Sequence, residues 1–283
     1  MRKTWVLWTL SFVIVWGATA LAQERLLAPF LEQEVPLDPV ASAPLFAQAR
    51  PLEIPLLSQT IAVPNGGGAV PHVSLRAMHN GKTLFLQFTW PDARPNRELF
   101  KDEEFSDAVA IQWPVTPGAE SSPFMGDPQH PVNIWHWKAA WEADRMGLRD
   151  VEQVYPNVHV DFSFEQVYIW DHELKVAFTP GRAAGNLLSQ PVRHSSVEEL
   201  TAVGFGTIRS QLRQDVRGAG HWQDGRWVVV MARELTTPDP MDVQFRPGDT
   251  VSFNVAVWDG DHGDRGGQKS VTFSWWKLTL LPR

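Results

Sequence analysis

The chain has 283 residues, no cysteine and a formal net charge of −7. Without cysteine there can be no disulfide, no thiolate-held iron–sulfur cluster, no Cys-based zinc site and no C-x-x-C-H haem attachment. The acidic balance, with no basic stretch, argues against a nucleic-acid partner. Any cofactor has to be held by His, Met, Lys, carboxylates or packing.

Taken in chain order, Arg2 and Lys3 precede an uncharged run from Thr4 to Leu21, and Ala20-Leu21-Ala22 then meets Gln23. A basic start, an apolar stretch and an A-x-A site predict a signal peptide over residues 1–22, removed on export to the periplasm. The competing reading is an uncleaved anchor, because the run approaches the roughly 20 residues that span a bilayer. No second apolar run of that length follows, so no stable membrane insertion is expected after cleavage. Residues 23–60 are rich in proline and poor in pattern, and are expected to form an extended arm packed along the surface. From 61 to 283 a single domain is expected.

In that domain nine segments rich in β-branched or aromatic residues read as strands: Val73–Met78, Thr83–Trp90, Ala108–Trp113, Val132–Trp141, Val158–Phe164, Glu173–Phe178, Arg226–Met231, Thr250–Trp258 and Lys269–Leu280. Asn80-Gly81, Pro91-Asp92, Pro117-Gly118, Asp224-Gly225 and Pro247-Gly248 separate them as turns, the first as a type I′ hairpin. Ser196–Val203, with Glu198 and Glu199 near its start, reads as a helix. Many strands and almost no helical periodicity predict an all-β, antiparallel β-sandwich with long loops.

There are fourteen tryptophans against two tyrosines. Strand alternation through Asn133–Trp141 puts Trp135, Trp137 and Trp141 on one face and Ile134, His136 and Lys138 on the other. A row of indoles can pack a core, stack on sugar rings or line the pocket of a flat apolar cofactor. Pattern alone favours the core. Asp259, Asp261 and Asp264 cluster around glycines but lack the remaining ligands of an EF-hand loop, and read as turn formers.

Several segments resemble the haem b subunits of periplasmic molybdenum enzymes, the γ subunits of the type II DMSO reductase family. Arg76-Ala77-Met78-His79-Asn80-Gly81-Lys82, followed by Phe85–Trp90 and Asp92, is similar to their opening hairpin. Asp107–Gln112, then Phe124-Met125-Gly126-Asp127 leading into Pro131–Ala139, and Phe253–Gly260 running on to Gly266-Gly267-Gln268-Lys269-Ser270 and Trp275, agree in order. The resemblance covers residue 70 to the C-terminus and implies a β-sandwich holding one non-covalent haem b.

Carried over residue by residue, the resemblance implies Met125 and Lys269 as the axial pair; Trp135 and Trp137, from the row of indoles, are candidates for lining the cofactor pocket. A thioether is a soft neutral ligand, and a lysine ligates only as the free amine. The second choice is a Met–His pairing, for which His136, His79 and His262 are available. The resemblance further implies a non-catalytic electron-transfer subunit that meets a molybdopterin subunit and an iron–sulfur subunit, and hands electrons to or from a soluble cytochrome c or similar carrier. The Pro-rich arm would suit wrapping the iron–sulfur subunit. The alternative from another class is an exported carbohydrate-binding sandwich without haem, which needs a flat exposed aromatic platform.

Overall fold

The computed structural model describes residues 25–158 and 180–283, apart from 117, 119, 120, 148, 150, 152, 153, 191 and 192. In chain order the described elements begin with β1 (Leu26–Ala28), α1 (Pro39–Phe46), β2 (Leu52–Pro55), β3 (Leu57–Ser58), β4 (His72–His79), β5 (Thr83–Pro91) and β6 (Ala108–Pro114). They continue with β7 (Val132–Lys138), α2 (Ala139–Ala143), β8 (Val197–Ala202), β9 (Arg209–Ser210), β10 (Arg217–Gln223) and β11 (Arg226–Glu234). The chain closes with β12 (Thr250–Trp258), β13 (Ser270–Val271) and β14 (Trp276–Leu280).

Two sheets result. The larger runs β1-β14-β12-β6-β7-β8-β9, with β13 beside β12 and β3 beside β13; the smaller runs β10-β11-β5-β4-β2. Every pairing is antiparallel except β1 with β14. The sheets face each other across a core in which Trp90, Trp113, Trp135, Trp137 and Trp227 are all fully buried, so the all-β sandwich expected from the strand pattern is what forms. Trp137 and Trp227 meet edge to face at 4.9 Å, and Trp113 tilts against Trp135 at 5.4 Å. Gly220 makes room for this: a Cβ there would lie 2.2 Å from the Trp137 ring. Rings of this size fill the inter-sheet space with large apolar area per residue.

Local expectations are corrected at several points. Ser196–Val203 is not a helix. Its central residues form β8, paired with β7, and Glu198 and Glu199 point to opposite faces of the sheet. Glu199 meets Arg233 in the core, while Glu198 takes Lys138 and Ser210 on the outer face. Two buried charges with partners mimic the acidic first turn of a helix. The hairpin turn after β4 is not type I′, since Gly81 (φ 84°) is left-handed and Asn80 is not. Asn80 Oδ1 closes it by accepting the Lys82 and Thr83 amides at 3.0 and 2.8 Å. β7 ends at Lys138, so Trp141 leaves the row of indoles and lies in α2. The strand expected over Lys269–Leu280 is split into β13 and β14. Residues 1–24, which include the expected signal peptide, lie outside the described residues, as do 173–178 and all but the first residue of 158–164.

The segment expected as an arm is woven into both sheets. β1 pairs β14, β2 pairs β4 and β3 pairs β13, and Leu26, Ala28, Leu52, Ile54 and Leu56 belong to the core. Asp38 caps α1 by accepting the Val40 and Ala41 amides, with Pro39 at the first helical position. Deleting residues 24–60 is expected to abolish cooperative folding, read as loss of a sharp thermal transition by circular dichroism. A melt within a few degrees of the full chain's would show the segment to be a dispensable strap. No helix among the described residues is long and apolar enough to cross a membrane.

Candidate functional site

The outer face of the larger sheet is apolar where solvent would ordinarily select polar side chains. Ala108, Ala110, Val132, Ile134, Leu200, Ala202, Ala256 and Trp258, from β6, β7, β8 and β12, form a second buried cluster there, with Met125, Val271 and Trp275 packed against it. Four connections rise over this floor: 59–68 after β3, 121–131 before β7, 203–208 after β8 and 259–269 after β12. Between them lies a cavity of about 410 Å³. That is the size of a small-molecule or cofactor site.

Met125 is on its wall, in an unusual backbone conformation. It is one of two non-glycine residues with positive φ among the described residues (φ 69°), which costs a side-chain-bearing residue about 1–2 kcal/mol. The surroundings over-determine it. Gly126 donates to Ser122 O at 3.1 Å, and Met125 O accepts the Gly204 amide at 2.8 Å. Gln112 Nε2 and Asn254 Nδ2 both donate to Pro123 O at 3.1 Å, and Trp275 Nε1 donates to Ser121 O at 2.8 Å. Strain held in place by so many contacts is a mark of functional positions.

Lys269 enters from the opposite segment of sequence. Its backbone is clamped by the loop after β3: Lys269 N donates to Gly66 O and Gln59 N donates to Lys269 O, each at 3.1 Å. Gly67 (φ 88°) packs flat on it, since a Cβ there would come within 2.2 Å of the Lys269 carbonyl carbon. The amine sits 4.9 Å from the centre of the Trp258 ring, with no carboxylate partner among the described residues. Burial alone pushes its pKa down to about 8.

His136, on β7, lines the same cavity. Its ring lies over Trp258 at 4.8 Å, and its Nε2 is enclosed with no hydrogen-bond partner. Burial first, then the charges of Lys138 and Lys269, hold its pKa well below the ordinary histidine value, so the imidazole is neutral. The cavity therefore offers a thioether, an amine whose proton is loosely held and a neutral imidazole, set in alkyl and aromatic walls. These are donors for a transition-metal centre inside a flat apolar group. Among the described residues no carboxylate lines it.

Trp135 and Trp137, candidates for the pocket, lie on the other side of β7, buried between the sheets; the rings that reach the cavity are Trp258, Phe124, Phe205 and Phe273. His79 is also buried away from it, with Nε2 bonded to Leu281 O at 2.7 Å, and His262 pairs with Asp259. Sequence reasoning missed the loop after β3, although Asn65-Gly66-Gly67-Gly68 is a signal for close backbone approach.

The family model described as ethylbenzene dehydrogenase matches residues 43–270 of the chain. The provisionally named respiratory nitrate reductase heme subunit ORF7 of Haloferax mediterranei is 24% identical over 253 residues, 89% of this chain and 71% of that protein. The chlorate reductase subunit gamma of Ideonella dechloratans is 26% identical over 213 residues (75% and 66%), and the dimethylsulfide dehydrogenase subunit gamma of Rhodovulum sulfidophilum is 23% identical over 205 residues (70% and 57%). The chain thus spans less than two thirds of the last two. A carbohydrate binding module family 9 (CBM9) from Caldicellulosiruptor kristjanssonii in complex with glucose aligns with 92% of this chain and 97% of its own at a TM-score of 0.45 and 6% identity, too distant a likeness to bear on function. The chain belongs to the ethylbenzene dehydrogenase family, among the gamma subunits of the type II DMSO reductase enzymes.

Proposed function

We propose that the chain is an electron-transfer subunit, not itself catalytic, which holds one haem b without a covalent link in the cavity on the outer face of the larger sheet. Met125 and Lys269 would hold it, one through a thioether and the other through an amine. Bound there, haem supplies a one-electron couple. The observation that carries the reading is Lys269: an amine buried with no counter-ion among the described residues, its pKa lowered to about 8, in the same apolar cavity as a backbone-strained methionine. With a thioether and an amine both given to the haem, the site would suit electron transfer rather than substrate chemistry. The relatives are named as heme or gamma subunits of reductases and a dehydrogenase, which supports a multisubunit setting; the proposal extends this to a molybdopterin subunit and an iron–sulfur subunit as partners, to the periplasm after removal of residues 1–22, and to a soluble cytochrome c or similar carrier as the electron-exchange partner.

Among the described residues His136 is the one competitor for a ligand role, because its Nε2 is enclosed in the same cavity and unpartnered. For the carbohydrate-binding alternative, no tryptophan among the described residues is exposed to serve as its platform, and the exposed tyrosine and phenylalanine rings among them are Tyr155 and Phe205.

Small floor residues give the cavity its depth, and Ala256 is one of them. Ala256→Phe would fill it without disturbing the inter-sheet core. The full chain is expected to take up one haem with a sharp b-type spectrum, and Ala256→Phe to lose that uptake while its far-ultraviolet circular dichroism is unchanged. A chain that takes up no haem even when produced with its partner subunits, or an Ala256→Phe variant that loads normally, would overturn the proposal.

A further inference from the structure

Away from the cavity, the loop leaving β5 and the turn after β12 bring three carboxylates together. Asp92, Asp107 and Asp259 are buried, and one oxygen from each lies within 4.8 Å of the others. Buried anions ordinarily have a basic partner, as Glu199 and Asp242 have Arg233. Here the partners are few. His262 Nδ1 lies 2.8 Å from Asp259 Oδ2, and Arg94 is drawn off to Asp261 at 2.8 Å. Arg97 lies over the Trp227 ring at 5.1 Å, and neither Asp92 nor Asp107 has an ion pair among the described residues.

The hydrogen bonds leave particular oxygens unused. Asp107 Oδ1 accepts the Gly260 amide at 2.8 Å, and its Oδ2 accepts the Asn96 amide at 2.6 Å and Trp227 Nε1 at 2.9 Å. Asp259 Oδ1 accepts the His262 amide at 3.3 Å. Asp92 Oδ1 accepts the Arg94 amide at 3.0 Å, but its Oδ2, on a side chain only 5% exposed, is enclosed with no donor at all. Asn96 Oδ1, on the same loop, is likewise enclosed and unpartnered. Burial first and the Asp107 charge second push Asp92 up to about 8, and burial pushes Asp107 up to about 6. The group is starved of positive charge.

We propose that Asp92, Asp107 and Asp259 form a binding site for a divalent cation, and that the cation is calcium. The donor set is all hard oxygen, which excludes a preference for zinc or copper. It comes from the two ends of one loop and from a turn distant in sequence, the uneven kind of cage calcium tolerates and magnesium does not. Asn96 Oδ1 is available as a further oxygen. The cation would fasten the 92–107 loop to the turn that begins immediately after Trp258 and runs on to Lys269, so it braces one wall of the cavity. The site itself does not depend on the haem reading.

The test uses the full chain after chelator treatment, titrated with calcium chloride and, separately, with terbium. Calcium at about a hundred times its dissociation constant is expected to raise Tm by roughly 5–10 °C. Terbium bound beside Trp227, whose indole N–H contacts Asp107, is expected to luminesce on tryptophan excitation and to be displaced by calcium. Asp92→Asn should cut the luminescence at least tenfold and remove the calcium response, while its calcium-free Tm equals or exceeds the wild type's, because repulsion is relieved. Asp259→Asn serves as a second variant with the same loss of response. A wild-type chain whose Tm ignores millimolar calcium would show a proton-sharing carboxyl cluster instead, and either variant retaining wild-type luminescence would equally overturn the site.

Discussion

Replacing Lys269 by Ala in the haem-loaded chain is expected to turn a sharp low-spin spectrum into a broad high-spin one and to weaken haem binding well beyond the ~10–100-fold typical of outer-shell changes at metal sites. Met125→Ala should do likewise and should lower the reduction potential, since a thioether favours the ferrous state. The pH dependence separates ligation from mere packing. Lysine binds iron only after losing its proton, and burial has already brought its pKa down to about 8. Haem affinity of the wild type should therefore be flat above pH 8 and fall by about tenfold per unit below it as protons compete. Lys269→Ala should lose that slope. Without haem, the folded pKa lies below the unfolded value, so the unfolded chain binds more protons between about pH 8 and 10 and stability rises with pH across that window. Haem titrations followed at the Soret band from pH 6 to 9 would decide it. An unchanged low-spin spectrum in Lys269→Ala, with His136→Gln losing it instead, would move the ligation to the Met–His pair.

How much of this was legible in the sequence depends on what each residue's signal measures. Period-two alternation reports which side of a strand is buried, and it placed β4, β5, β6, β11 and β12 within a residue or a few. It also put His136 opposite Trp135 and Trp137, which is how β7 divides floor from core. It does not report which face carries the site. The indoles, the most conspicuous residues, went to the inter-sheet core, while the cavity uses alanines whose message is the absence of bulk. Met125 and Lys269 were reachable only through resemblance, because their turns are irregular and their roles depend on loops that meet from far apart in the chain. The same holds for Asp92, Asp107 and Asp259, of which only the last stood in a cluster that sequence spacing could show. Glu198 and Glu199 misled for a related reason: adjacent acids predict a helix start only if both face solvent, and the pairing that buries each on its own side of β8 is tertiary.

The largest stability effect is expected at Arg233. Its side chain is fully buried on β11, with Nη1 3.3 Å from Glu199 and 3.5 Å from Asp242, 3.1 Å from Asn133 Oδ1, and Nη2 on Val243 O. The guanidinium also stacks on Trp135 at 4.9 Å and Phe245 at 5.3 Å. Arg233→Met keeps much of the volume but strands two carboxylates, a loss of about 3–5 kcal/mol at neutral pH. The sign with pH follows from Glu199, whose pKa burial and then Asp242 already raise to about 7 against Arg233's pull. An acid raised in the folded state stabilises fully below its unfolded pKa and loses that contribution as pH rises through the folded one. Removing the arginine pushes the folded value higher still. Urea denaturation should therefore show a smaller penalty for Arg233→Met at pH 5 than at pH 8, and Glu199→Gln in the same chain should recover part of it. A penalty below about 1 kcal/mol that does not change with pH would mean the network is already neutral, its carboxylates holding protons rather than relying on the arginine.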